Sequence, residues 1–361
     1  MNRWVLHSDQ VEVGVTEQAG HLDPVRFPTP RGVLAPLSVA PWADEKLAED
    51  VPPILRVLRG DFFCAPFGAN DLAPDETRVH GATANDHWQR TGATTTTLDL
   101  TLTRPVLGAR VHKHLAVRPG QPIVYQRHEF VGGAGRLPLG HHAMVKAPET
   151  CLLGLAPWVR GVTPPTRFES DPATGHSLLA YPQEFDSLAR LRLADGGMAD
   201  VSRYPAFDRP YEDLVMVTFD PALPLAWASV TAPQAGWVWF DLRRPRHFAS
   251  TVLWMSNGGR DYAPWNGRHR RVLGVEALTS YCHLGHRASV EPNPLSERGL
   301  ATSVELDPAG TLALPYLFGC VPVPAGYGRV REIKAEGAGV TLVDDRNQRV
   351  AVACDLGFLE T

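Results

Sequence analysis

The chain of 361 residues carries 35 basic against 39 acidic side chains, a formal net charge of -4. That balance leaves no electrostatic footprint for nucleic acid or an anionic membrane, and it suits a small polar ligand. Hydrophobic residues at 44% and charged residues at 20% exclude a disordered chain and supply enough apolar mass for a sizeable core.

No apolar run approaches the roughly 18 to 20 residues of a membrane-spanning helix. The amino terminus, MNRWVLHSDQVEV, lacks the apolar stretch and small-residue cleavage site of a secretory signal, so the sequence reads as cytoplasmic. Cys64, Cys151, Cys282, Cys320 and Cys354 are widely spaced, odd in number and without a C-x-x-C pair. They suit small core positions better than a disulfide framework or a zinc cluster. Glycine and proline, 32 of each, cut the chain into pieces too short for long helices.

In chain order, ADEKLAEDVPPILRVL predicts a short helix broken at Pro52 and Pro53. LRGDFFCAPFG, Leu58 to Gly68, scans neither as helix nor as amphipathic strand, and it sets Arg59 beside unusual apolar mass. TTTTLDLTLT, Thr94 to Thr103, puts Leu98, Leu100 and Leu102 on one face and polar residues on the other, the pattern of a half-wetted strand. Strands are likewise predicted over 109–117, 122–132, 213–220, 235–242, 250–257, 339–345 and 349–356. PQEFDSLARLRLA, Pro182 to Ala194, has apolar residues near helical spacing and predicts a helix. With no βαβ rhythm, no repeat and no low-complexity linker, the simplest account is one all-β domain over residues 1–361. It would be a large antiparallel sandwich or barrel with few short helices.

Four stretches concentrate polar groups in apolar or glycine-rich surroundings. They are the segment with Arg59; VHGATANDHW with His80; PLGHHAMV with His141 and His142; and NGGRDYAPWNGRHRRVLGVEALTSY with Glu276. Arg59 has an ordinary alternative in pairing with Asp61. Glu276 sits among Leu273, Val275, Ala277 and Leu278, where burial raises a carboxyl toward the range of a general base. An arginine of RHRR, Arg268 to Arg271, would instead make it structural. His112 and His114 share one face of a predicted strand at a workable ligand spacing. No carboxylate or cysteine stands near them in sequence and H-E-x-x-H is absent, so no metal and no cofactor is expected. Glycine-rich phosphate loops and the G-x-S-x-G elbow are missing as well.

The order of these stretches resembles the aldose 1-epimerase (galactose mutarotase-like) superfamily. RGDFFCAPFG is similar to a segment of its hexose-phosphate branch, which places Arg59 on the substrate-binding arginine. His80-Gly81 falls on a His-Gly pair. GHHAMV is similar to a Gly-x-His-x-aromatic segment, which places His142 on the catalytic acid with Met144 where an aromatic is expected. YEDLVMV points to Asp213 for a substrate hydroxyl, and LGVEALTSY to Glu276 as the base. The resemblance runs from about residue 55 to 280 and implies a β-sandwich with its sugar site on one sheet; the last eighty residues are expected only to supply strands that close the sheets.

What the resemblance implies is an isomerase that opens and recloses a sugar ring, with Glu276 and His142 meeting across a pyranose-sized hollow. His80 and Arg59 would stabilise the ring oxygen, Asp213 would orient hydroxyls, and Trp88 and Trp265 would pack the C–H face. Two alternatives stay open: a non-catalytic carbohydrate-binding or sensing protein, and a lyase or isomerase acting on an acidic sugar. The partner in every case is a small sugar or sugar derivative.

Overall fold

The alternation read from the sequence becomes the register of two large antiparallel sheets in the computed structural model, which describes residues 2–73 and 77–361. In the first sheet the strands run in the order Glu184–Phe185, Trp158–Val162, Tyr211–Phe219, Ser250–Asn257, Val272–Thr279, Leu139–His141 and Phe63–Cys64, and Ala143–Lys146 also pairs with Val272–Thr279. The second sheet has nine strands, with Thr311–Pro322 at its centre between Trp237–Arg243 and Gln121–Val131. Leu98, Leu100 and Leu102 face inward from it, as their spacing predicts.

The main core lies between these sheets. Val215, Leu253, Leu273 and Val275 of the first meet Val230, Trp239, Tyr316 and Phe318 of the second in one buried cluster. This is the β-sandwich expected from the sequence. Both strongest pairings of the first sheet, 211–219 with 250–257 and 250–257 with 272–279, are in continuous register, which fixes the face on which every side chain emerges.

The last eighty residues do more than close sheets. Thr311–Pro322 enters the middle of the nine-stranded sheet, while Val330–Glu336, Gly339–Asp344 and Arg349–Ala353 form a separate sheet. Ile333, Val340, Leu342 and Val352 of that sheet cover Trp227, Phe240 and Leu317 on the outer side of the sandwich. An amino-terminal four-stranded sheet, beginning at Arg3–His7, adds Leu6, Val13 and Val25 to the main core.

Two helical expectations change. The segment 182–194 holds no helix; it contributes the two-residue strands Glu184–Phe185 and Leu191–Arg192, joined by turns. Edge pairing of Gly161 and Val162 with Phe185 and Glu184 draws it into the sheet, and Gln183 bonds the backbone of Ala180 and Arg192. Tertiary pairing overrides the local spacing. The short helix near Pro52 spans Pro53–Val57 and begins where a break was expected, with Pro53 in the first turn, a position at which the missing N–H is harmless. No helix among the described residues is long and apolar enough to cross a membrane.

Candidate active site

On its outer face the first sheet carries a third apolar cluster, in which Leu214, Met216, Val252, Trp254 and Leu278 pack under Ile54, Leu58, Phe62, Phe67 and Trp265. A cavity of about 500 Å³ opens between the strands and these overlying loops. Glu276 emerges into it from Val272–Thr279, because Leu273, Val275 and Ala277 point into the sandwich and the intervening positions point out. Its neighbour on the same face is Gly274, where a Cβ would lie 2.3 Å from the Glu276 carboxylate oxygen Oε1. The absent side chain is what lets the carboxylate lie back along its own strand.

His142 occupies the gap between Leu139–His141 and Ala143–Lys146, both paired with the Glu276 strand. Its N–H donates to the Phe62 carbonyl at 2.8 Å, and its ring stacks on Phe62 at 4.5 Å with Trp254 edge-on at 5.4 Å. The His142 Nε2 then lies 3.2 Å from Glu276 Oε1. His141 turns the other way, into the sandwich, where its Nδ1 is 3.1 Å from Asp61 and its ring stacks on Tyr316.

Burial sets the protonation of this pair. Removing the Glu276 carboxyl from water pushes its pKa well above the usual carboxylate range. Burial, and then the neighbouring His80, hold the His142 pKa well below that of a free imidazole. Both shifts favour the uncharged forms, a carboxylic acid beside a neutral imidazole.

His80 stands beside this pair, its ring 5.4 Å from that of His142. It adopts a left-handed backbone with φ 68° and is followed by Gly81 at φ 65°, where a Cβ would strike the Ala65 carbonyl at 2.2 Å. That turn locks against Gly68, whose N–H donates to His80 Nδ1 at 3.2 Å while the His80 N–H returns a bond to the Gly68 carbonyl. An accepting Nδ1 leaves the proton on Nε2. Burial and then His283 push the His80 pKa down to about 3, so it is a neutral donor.

Beyond Trp254 in the same cavity, Arg260 lies 4.4 Å above the Trp265 ring, with Phe168 and Trp254 also under its guanidinium. Its Nε is held by Glu169 at 2.6 Å and lies 3.7 Å from Glu212. Glu212 accepts from Trp254 Nε1 at 2.7 Å and from Ser256, and burial raises its pKa to about 7 against the pull of Arg260. Arg260, Tyr262, His283, Trp265 and Trp254 all line the cavity.

No protein-family model matches the sequence, and no curated protein matches it either. Solved structures do. A protein from Escherichia coli K12 described as a candidate aldose 1-epimerase superposes with a TM-score of 0.59 at 12% identity, over 89% of this chain and 99% of its own. A galactose mutarotase related enzyme from Lactobacillus acidophilus gives 0.56 at 10%, over 89% and 98%. The GalM/aldose epimerase homologue of C. elegans gives 0.57 at 10%, over 90% and 100%. The chain has the galactose mutarotase-like fold.

Within this mutarotase-like sandwich, Glu276, His142, His80 and Trp265 come together at one cavity. Glu276 and His142 do not face each other across a hollow; they touch side by side on one wall. Three other expected site residues lie elsewhere. Leu58 faces the cavity and its neighbour Arg59, extended and bridged to Val39, faces away; its Nη1 is 3.4 Å from Asp23 and its Nε donates to the Val57 carbonyl. Asp213 alternates with cavity-lining Leu214 and so points into the sandwich, accepting from the N–H groups of Leu178 and Leu179 and from Tyr181. Trp88 belongs to the other sheet and the main core, donating to the Thr83 carbonyl at 3.2 Å.

The arginines of RHRR are engaged away from Glu276: Arg268 with Glu45, Arg270 with the Gly267 carbonyl and Arg271 with the Ala147 carbonyl. His112 and His114 make cross-strand contacts to Thr101 and Asp99. Sequence reasoning passed over Arg260, Glu212 and Trp254. Period-two parity carries the signal of the last two, since Glu212 faces outward where the adjacent Asp213 faces inward, and Trp254 lies two residues beyond Val252, the pairing partner of Glu276; Arg260 lies beyond the strand, where parity does not reach.

Proposed function

We propose that the protein is an aldose 1-epimerase-like enzyme that interconverts the anomers of a reducing sugar by acid/base ring opening. The observation that carries this reading is the His142–Glu276 contact at the cavity wall. The two oxygens that must exchange protons, the anomeric hydroxyl and the ring oxygen, sit on the same carbon. A side-by-side acid and base therefore matches the reaction better than an opposed pair.

The proton count closes within the pair. In one sense the Glu276 carboxyl protonates the ring oxygen while His142 takes the proton of the anomeric hydroxyl. The bond from C1 to the ring oxygen breaks toward that oxygen, and the carbonyl forms at C1. Rotation about the C1–C2 bond and reclosure return the proton. In the other sense, after transfer within the pair, the carboxylate accepts and the imidazolium donates, which is the assignment the sequence resemblance implies. His80, through its neutral Nε2–H, stabilises charge at the ring oxygen. Trp265 and Trp254 supply indole surface for the C–H face of the ring.

Anomer exchange followed by NMR across a panel of reducing sugars tests the reading. The wild type is expected to accelerate exchange, and Glu276→Gln and His142→Asn each to lose about 10²–10⁴-fold of it while sugar still binds. Sugar binding without exchange would make the protein a carbohydrate sensor, and an unsaturated product would make it a lyase; either overturns the proposal.

A further inference from the structure

Much of the cavity lining is apolar or aromatic. A parent hexose brings a hydroxyl on nearly every ring carbon, and each that leaves water without finding a partner weakens binding. The polar groups here are gathered at two places. One is the His142–Glu276–His80 end, used by the reacting oxygens in the epimerase reading. The other is the Arg260 wall, where Glu169 engages the Arg260 Nε at 2.6 Å and accepts from the Tyr262 hydroxyl at 3.4 Å.

Much of the remaining lining is hydrocarbon and aromatic. Ile54, Leu55 and Leu58 come from and just after the helix Pro53–Val57, Phe62 and Phe67 from the following segment, and Leu214 from the sheet. The helix is anchored rather than adaptable, since Trp42 Nε1 donates to the Leu55 carbonyl at 2.7 Å and Arg56 bonds the carbonyls of Ala48, Glu49 and Val51. An apolar wall held this way is built to meet apolar substrate atoms.

The geometry points to a substrate that is a reducing pyranose carrying an apolar substituent on its ring: a deoxy, O-alkyl or O-acyl sugar in place of a fully hydroxylated hexose. This rests on the epimerase reading, which also fixes where the substituent is not. Ring opening needs a free anomeric hydroxyl, so the apolar group is on another carbon, directed toward Ile54 and Leu55 of the helix. A simple alkyl glycoside fits the cavity chemically and cannot react.

Matched pairs decide the question. Anomer exchange is measured by NMR for D-galactose against 6-deoxy-D-galactose, and for D-glucose against its 3-O-methyl and 6-O-acetyl derivatives. At least one substituted sugar is expected to exceed its parent about tenfold in kcat/KM, the discrimination one buried methyl group supports. Leu55→Asn, at the cavity edge of the helix, is expected to shrink that ratio to near unity. Exchange of the parent hexoses at equal or higher kcat/KM than every derivative would overturn the inference and leave the epimerase reading standing. Failure of every sugar to exchange would overturn both. A ratio unmoved by Leu55→Asn in a folded variant would show that the helix wall does not select the substituent and would overturn its placement there.

Discussion

Gly274 is the residue on which the geometry of the His142–Glu276 contact turns. Every other position on the outward face of its strand could carry a side chain, yet here a Cβ would meet Glu276 Oε1 at 2.3 Å and Trp254 Cβ at 2.9 Å. The far end of a flexible glutamate gives way before packed backbone does. Gly274→Ala is therefore expected to displace the carboxyl from His142 and lower kcat for anomer exchange about 10²-fold, the effect of a misplacement near 1 Å. Circular dichroism and steady-state kinetics on the same preparation check this, and an unchanged kcat would show that the carboxyl position is not critical. At this scale the sequence was legible in part. Glu276 stood out as a carboxylate in an apolar run, and His80-Gly81 as a polar turn, because burial and backbone geometry leave marks within a few residues. Which of two adjacent histidines reached the cavity did not follow from local chemistry; the resemblance pointed to His142.

Strand parity governs what the elements contribute. Glu212 and Leu214 face outward while Asp213 between them faces the sandwich, where it serves as an acceptor for three donors. Asp213→Ala is accordingly expected to destabilise the fold by about 3 kcal/mol in urea unfolding, the consequence of leaving buried donors unpaired, with KM for sugar unchanged. A raised KM at unaltered stability would return Asp213 to the ligand. The long strands were readable because alternation and β-branched residues act locally, as in 97–102 and 211–219. Register was not readable, and a shift of one residue carries a side chain to the opposite face; the resemblance brought Arg59 and Asp213 to the site, and both emerge on the face away from it. The supposed helix at 182–194 failed for a related reason: its neighbours in the sheet, invisible in sequence, decide its conformation.

Across the whole molecule the buried titratable groups define an acid weakness. Burial holds the pKa values of His21, His80, His128, His141, His142, His247, His269 and His283 below the ordinary imidazole value. For each, the unfolded chain binds a proton near pH 6.5 that the folded chain refuses, so stability falls as pH drops below that value. Burial raises Glu212, Asp213, Asp241 and Glu276, which work in the opposite sense above the ordinary carboxylate range. Eight against four leaves the histidines in control. Tm is expected to rise from pH 5 to 6.5 in differential scanning calorimetry, and a fall over that interval would mean that the histidines are accessible to protons in the folded state. The all-β class was legible from composition and strand count, which left sandwich and barrel open until the resemblance implied the sandwich; the separate sheet over its outer side was not, because nothing local distinguishes a strand that closes a sheet from one that covers it.

The most direct test of the shared-proton pair is the rate of anomer exchange of a reducing pyranose, measured by NMR for the wild type and Glu276→Gln at neutral pH. The account predicts acceleration over the buffer rate by the wild type and its near-complete loss in the variant, with sugar binding retained. An equal rate in both proteins would contradict it.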